Sequence, residues 1–142
     1  MKKLMLWMTA FALFAGSALH AQNITGTWQG TLNGGQPLRL VIKISLDDDK
    51  LKATSYSIDQ GGQPIPVSAI TRDGSTVKMT VAMINGSYEG KLSADGNSIT
   101  GTWTQGAPLP LNLTRATPET EWTIPEPPAP PKVMAATIQR FL

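Results

Sequence analysis

Few side chains in this chain are equipped for chemistry, and their types exclude more than they allow. There is no cysteine, and the single histidine, His20, lies in an N-terminal stretch expected to be removed. A mature chain without either lacks the commonest general base, thiolate nucleophiles and the usual zinc ligands. The acids do not make up for this. Asp47-Asp48-Asp49 crowd one hairpin tip without the alternating spacing and distal Glu of a calcium loop. Glu89 is the only acid inside a predicted strand, and no second carboxylate stands at a fixed distance from it. It is expected to face outward in a cross-strand charge pair. No catalytic residue, metal or cofactor is expected.

What remains is a set of aromatic residues flanked by glycine. In Ile24-Thr25-Gly26-Thr27-Trp28-Gln29-Gly30-Thr31-Leu32 the even positions share one face of a strand, and the odd positions, all short and polar, share the other. The design returns at Gly86-Ser87-Tyr88-Glu89-Gly90 and at Gly101-Thr102-Trp103-Thr104-Gln105-Gly106. Trp28, Tyr88 and Trp103, together with Met79 and Met83, are the candidates for lining a ligand in the interior. The competing reading is structural: an inward ring between glycines fills space where the missing side chains and the backbone curvature leave room.

These residues must be positioned by strands. Eight strand-like runs follow one another, joined by Asn33-Gly34-Gly35-Gln36, Asp47 to Lys50, Asp59 to Gln63, Asp73-Gly74-Ser75, Asn85-Gly86, Asp95-Gly96-Asn97 and Gly106-Ala107. Leu38, Leu40, Ile42, Ile44 and Leu46 alternate inward with Arg39, Val41, Lys43 and Ser45 outward. Val77, Met79, Val81 and Met83, then Ile99 and Trp103, then Leu109, Leu111 and Leu113 continue the inward set. The run Ile65 to Thr71 carries Pro64 and Pro66 at its start and should begin irregularly or leave amides unpaired. Closing such a sheet on itself hides its apolar face and removes its edges. The predicted fold is therefore all-β, an eight-stranded antiparallel up-and-down barrel, favoured over a two-sheet sandwich because the hairpins are sequential.

Residues 1–21 read as a secretory signal: Lys2 and Lys3, an apolar run from Leu4 to Ala15, and small residues before a cut after Ala21, or alternatively after Ala18. The run is shorter than the roughly 20 residues of a membrane span. The predicted location is secreted or periplasmic, with no membrane span after cleavage. Loss of Lys2 and Lys3 takes the chain from 12 basic and 10 acidic residues to an even balance. No basic stripe is left to suggest nucleic acid as a partner. The barrel domain is placed at residues 22–116, a Pro-rich linker at 117–132 with six prolines from Pro118 to Pro131, and a short tail at 133–142. Trp122 is expected either to fold back on the barrel or to stand exposed.

The Gly-x-Trp of the first strand resembles that of lipocalin-type barrels, and Ile24 to Trp28 also looks like the opening strand of avidin-type biotin binders. Biotin is rejected, because Ser55, Ser57 and the Tyr88 hydroxyl are the only inward polar groups for a ureido ring. A longer resemblance joins Gly26 to Leu32, Asp59-Gln60-Gly61, Ile65-Pro66-Val67, Gly86 to Gly90 and Gly101 to Gly106 in order. Together they resemble a small lipocalin-like β-domain at the N-terminus of secreted bacterial proteins. There it precedes an α/β-hydrolase domain or the domain of the acidobacterial soil-associated protein family. The resemblance implies that any catalysis belongs to a downstream domain, of which this chain has no Gly-x-Ser-x-Gly elbow, and so a truncated two-domain protein. The expected function is a non-catalytic accessory or binding module. The alternative is a stand-alone carrier with a small apolar ligand in the barrel. A protein partner is the other expectation, of unstated identity.

Overall fold

A computed structural model describes residues 23–126. The expected signal peptide, the end of the linker and the tail lie outside the described residues. The strands are β1 (Gly26–Asn33), β2 (Pro37–Asp47), β3 (Lys50–Ser57), β4 (Pro64–Pro66), β5 (Ala69–Asp73), β6 (Thr76–Val81), β7 (Gly86–Leu92), β8 (Ser98–Gln105) and β9 (Ala107–Arg115). All belong to one antiparallel sheet in the order β4-β3-β2-β1-β9-β8-β7-β6-β5. Sequential hairpins build each half, and β1 pairs with β9 through Trp28↔Arg115 and Gln29↔Thr114.

The fold is the curled all-β sheet expected, with nine strands instead of eight. The extra strand comes from the proline-bearing run, which bends at Val67-Ser68. Pro64 and Pro66 have no amide hydrogen to donate, which suits the short edge strand β4 against β3. Val67 N–H then donates to Ala53 O on the β3 side at 3.0 Å, and Ser68 N–H donates to Thr80 O on the β6 side at 2.8 Å. Ser68 Oγ holds the corner, donating to Thr80 O at 2.7 Å and accepting from Ala82 N–H at 3.0 Å. The two outermost strands of the sheet are thus consecutive pieces of chain, and this corner joins them.

Turn chemistry follows the residues. Asp48 and Asp49 both have positive φ, 50° and 62°, as a two-residue type I′ hairpin requires. Asp95 accepts from Ser93 Oγ at 2.6 Å and from Asn97 N–H at 3.0 Å, closing the β7–β8 turn. Asn85-Gly86 departs from expectation. The β6–β7 connection is a 3₁₀ turn at Ala82–Ile84, with Asn85 left-handed at its end (φ 52°). Gly86 is already in strand, and its lack of a side chain makes room for the Trp103 ring.

Two inward expectations are corrected. Met83 is 71% exposed, because β6 stops at Val81 and the 3₁₀ turn swings Met83 outward. Leu46 is 56% exposed, because it pairs with Leu51 at a hairpin tip where the core no longer reaches. Otherwise the inward set forms one contiguous cluster including Ile24, Trp28, Ile42, Val77, Met79, Tyr88, Ile99, Trp103 and Leu111.

Candidate functional site

The interior is organised by cross-strand rows. Met79 faces Tyr88, Tyr88 faces Trp103, and Trp103 faces Leu109, so four of these rows' side chains lie side by side across β6 to β9. The next row inward is Val77, Gly90, Gly101 and Leu111. The paired glycines leave the space the Tyr88 ring needs: a Cβ on Gly101 would stand 2.6 Å from the phenol oxygen, and one on Gly90 2.9 Å. The hydroxyl reaches across this row and donates to Leu111 O at 2.8 Å.

Each aromatic residue satisfies its polar atom internally. Trp28 Nε1 donates to Ile24 O at 2.9 Å, and Trp103 Nε1 reaches Gln105 Oε1 at 3.3 Å. Trp28 is also sealed from the barrel end by Arg115, whose guanidinium lies 4.4 Å from the ring centre. That guanidinium donates to Thr25 O at 2.6 Å, Asn23 O at 2.8 Å and Gly96 O at 3.1 Å, tying the chain before β1 to the β7–β8 turn. Burial pulls the Arg115 pKa down, but an arginine stays charged regardless. Of the sequence candidates, the structure brings Trp28, Tyr88, Trp103 and Met79 into one core and leaves Met83 outside it. Arg115 was not among them. Its signal was a lone cation at an inward position, two residues beyond Leu113.

Burial also pushes the Tyr88 pKa well above the ordinary tyrosine value. An unfolded tyrosine ionises near pH 10. Above that pH the folded chain keeps a proton the unfolded chain has lost. The stability contributed is whole below about pH 10 and falls as pH rises, by up to ~1.4 kcal/mol per unit. Tyr88→Phe leaves the Leu111 carbonyl without this donor and is expected to cost about 1–2 kcal/mol at neutral pH. It should also flatten the alkaline loss, as urea unfolding at pH 8, 10 and 11 would show.

The outer face holds two features. Over β5 to β8 are two open depressions of about 310 and 390 Å³. They share Lys78 and Glu89; the first is also lined by Met79, Thr80, Ser87, Tyr88, Thr102 and Thr104, and the second by Thr71, Asp73 and Thr76. Lys78 and Glu89 are directly opposed in the ladder with N···O 3.9 Å, the cross-strand pair expected of Glu89. Asp47 is occupied by Lys52 at 2.6 Å, and among the described residues no group of three or more His, Cys, Asp or Glu could hold a metal ion. Such a surface offers hydrogen bonds but no positioned acid–base pair.

The second feature covers β1 to β3. Gln29 and Val41 lie on the outward side of the sheet, yet Gln29 is 7% exposed and Val41 fully buried. Val41 is outward as expected, but it is covered. The cause is the start of the Pro-rich segment, which lies back along this face. Ala116 N–H donates to Thr27 O at 2.8 Å, and Glu121 N–H donates to Thr117 O at 2.9 Å, turning the chain. Gln29 then clasps it, Nε2 donating to Thr120 O at 2.9 Å and Oε1 accepting from Trp122 N–H at 3.0 Å. Arg39 stands 6.0 Å from the Trp122 ring centre, and Lys43 lies 3.8 Å from the Glu121 carboxylate. Trp122 is half-buried, the first of the two outcomes expected for it.

No family model matches the chain, and no curated protein matches it. Among the described residues no helix is long and apolar enough to cross a membrane.

Proposed function

We propose that this chain is a secreted or periplasmic, non-catalytic β-barrel module that acts through its outer surface, as an accessory or binding domain. The observation that carries the reading is the state of the three aromatic anchors. Trp28, Tyr88 and Trp103 spend their N–H and O–H groups on the chain's own acceptors, and the Tyr88 and Trp103 rings fill the space left by Gly90, Gly101 and Gly86. A pocket built for a small molecule keeps a few polar groups aimed at the ligand. Here those groups are already engaged. The aromatics therefore serve as plugs, and the carrier reading loses the side chains that would orient a guest. The resemblance to N-terminal β-domains of secreted bacterial proteins supports an accessory role beside a separate domain, and it is the source of the lipocalin-like reading of the barrel.

The test is uptake of an apolar ligand by the purified chain, followed with a fluorescent fatty-acid analogue. The expected result is no saturable binding at micromolar concentration, and no hydrolysis of simple esters. One-to-one uptake that is displaced by an unlabelled fatty acid, and lost in Met79→Ala, would return the barrel to the carriers.

A further inference from the structure

We propose that the outer face of β1 to β3 is a recognition site for an extended peptide of the form acidic-Trp-x-Ile-Pro, filled here in cis by Glu121 to Pro125. The proposal rests on the outer-surface reading and gives one outer face its partner; a failed peptide measurement leaves the interior ligand test standing. Four elements of the seat each match one element of the segment.

The first reads backbone. Thr120 ends the turn that begins at Thr117, just before the occupant, and its C=O and the Trp122 N–H face one side, where a neighbouring strand would take both. The Gln29 carboxamide does so in its place, taking Thr120 O at 2.9 Å and Trp122 N–H at 3.0 Å. A side-chain amide presents a donor and an acceptor along one edge, as the N–H and C=O of a single strand residue do. Gln29 is itself 7% exposed, so both ends of its carboxamide are engaged in a contact largely shielded from water.

The second reads the aromatic. Arg39 stands by the Trp122 ring, but its guanidinium is held independently of the segment. Nη2 donates to Asp59 Oδ1 at 2.7 Å, Nε to the same oxygen at 3.2 Å, and the Arg39 amide to Asp59 Oδ2 at 2.8 Å. The cation is thus positioned before the ring arrives. The third reads charge: Lys43, 3.8 Å from Glu121, also lies 5.9 Å from the Tyr56 ring centre. The fourth reads proline. A Cβ on Gly62 would stand 2.7 Å from Pro125 Cδ and 3.3 Å from Ile124 Cγ2, so the missing side chain is the space the Ile-Pro step occupies.

Every residue of the seat comes from β1, β2, β3 or the turn at Ile58–Gln60 and the glycines after it. None comes from the segment. A seat assembled without its occupant takes the same segment in trans, limited only by competition with the tethered copy. A short tether supplies an effective concentration in the millimolar range, so the cis copy shields the site until it is weakened.

The experiment uses the full mature chain, its Trp122→Ala variant and a fluorescently labelled peptide of residues 117–126. Cleavage after Glu121 by a Glu-specific protease reports seating. It should be at least tenfold faster in Trp122→Ala. The peptide should bind Trp122→Ala at least tenfold more tightly than wild type, and a peptide with alanine in place of its Trp should not bind. Adding Gln29→Ala to the Trp122→Ala chain should remove binding. Arg39→Ala, a change confined to the surface, repeats the cleavage measurement with the same expected direction. Equal cleavage rates in wild type and both variants would overturn the proposal. So would peptide binding that is the same in wild type and Trp122→Ala, or absent from Trp122→Ala up to millimolar peptide.

Discussion

Trp28→Ala is expected to destabilise the barrel by about 3–5 kcal/mol, the usual cost of emptying a buried tryptophan site. Domains of this size are stable by only about 5–15 kcal/mol, so the variant should be largely unfolded or melt far below wild type. The size of the effect has three sources. The ring is fully buried, its Nε1 bond to Ile24 O is lost, and the Arg115 guanidinium loses the surface it covers. Arg115 would then lie over a void while still bonded to Thr25, Asn23 and Gly96, so the β1–β9 seam should loosen with it. Trp28→Phe separates the parts. It keeps most of the apolar area and drops the hydrogen bond, and should cost markedly less. Chemical denaturation followed by far-ultraviolet circular dichroism measures both. A Trp28→Ala chain as stable as wild type would return this residue to the ligand-contact reading.

The second large effect is expected at Gly30. A Cβ there would run into the Asn112 carbonyl oxygen and crowd Leu113, and the obstacle is backbone, which cannot rotate out of the way. Only two residue pairs connect β1 to β9 beside this point, so the strands have little ladder to spare. Gly30→Ala should cost about 3 kcal/mol, the upper end of overpacking penalties. Gly74→Ala is the control. Its φ is +60° but nothing lies within 4 Å of the added carbon, so it should cost about 1–2 kcal/mol from the backbone alone. Equal melting temperatures for the two variants would contradict the close-approach account.

Most of the fold was legible because alternation with period two is a direct image of a half-buried strand. The inward rows of β2, β6, β8 and β9 lie where the residues placed them, apart from Leu46 at the β2 tip and Met83 past the end of β6. What escaped depends on events beyond one strand. Met83 continued the alternation on paper, but the ladder ended at Val81 and the chain rotated. Asn85-Gly86 carried a hairpin signal, yet Gly86 is needed for its closeness to the Trp103 ring, a contact between β7 and β8 that no local pattern encodes. The ninth strand arose from a corner at Val67-Ser68 that the two prolines only hinted at. Val41 was the one clear clue to the covered outer face: an apolar residue among Arg39, Lys43 and Ser45, at a position that should have been wet. Its cover lies some eighty positions away in sequence, around Trp122 and Ile124, and composition alone described that stretch as a spacer. The plug reading proposed for Trp28, Tyr88 and Trp103 rests on where their N–H and O–H groups point, which residue types do not specify.

The central claim is that these rings fill the barrel interior and leave no guest site. Xenon enters dry apolar cavities and marks them in an electron-density map. Crystals of residues 22–142 under xenon pressure are predicted to show no bound atom among Trp28, Met79, Tyr88 and Trp103. An ordered xenon atom within that ring of side chains would reveal an apolar cavity and contradict the account.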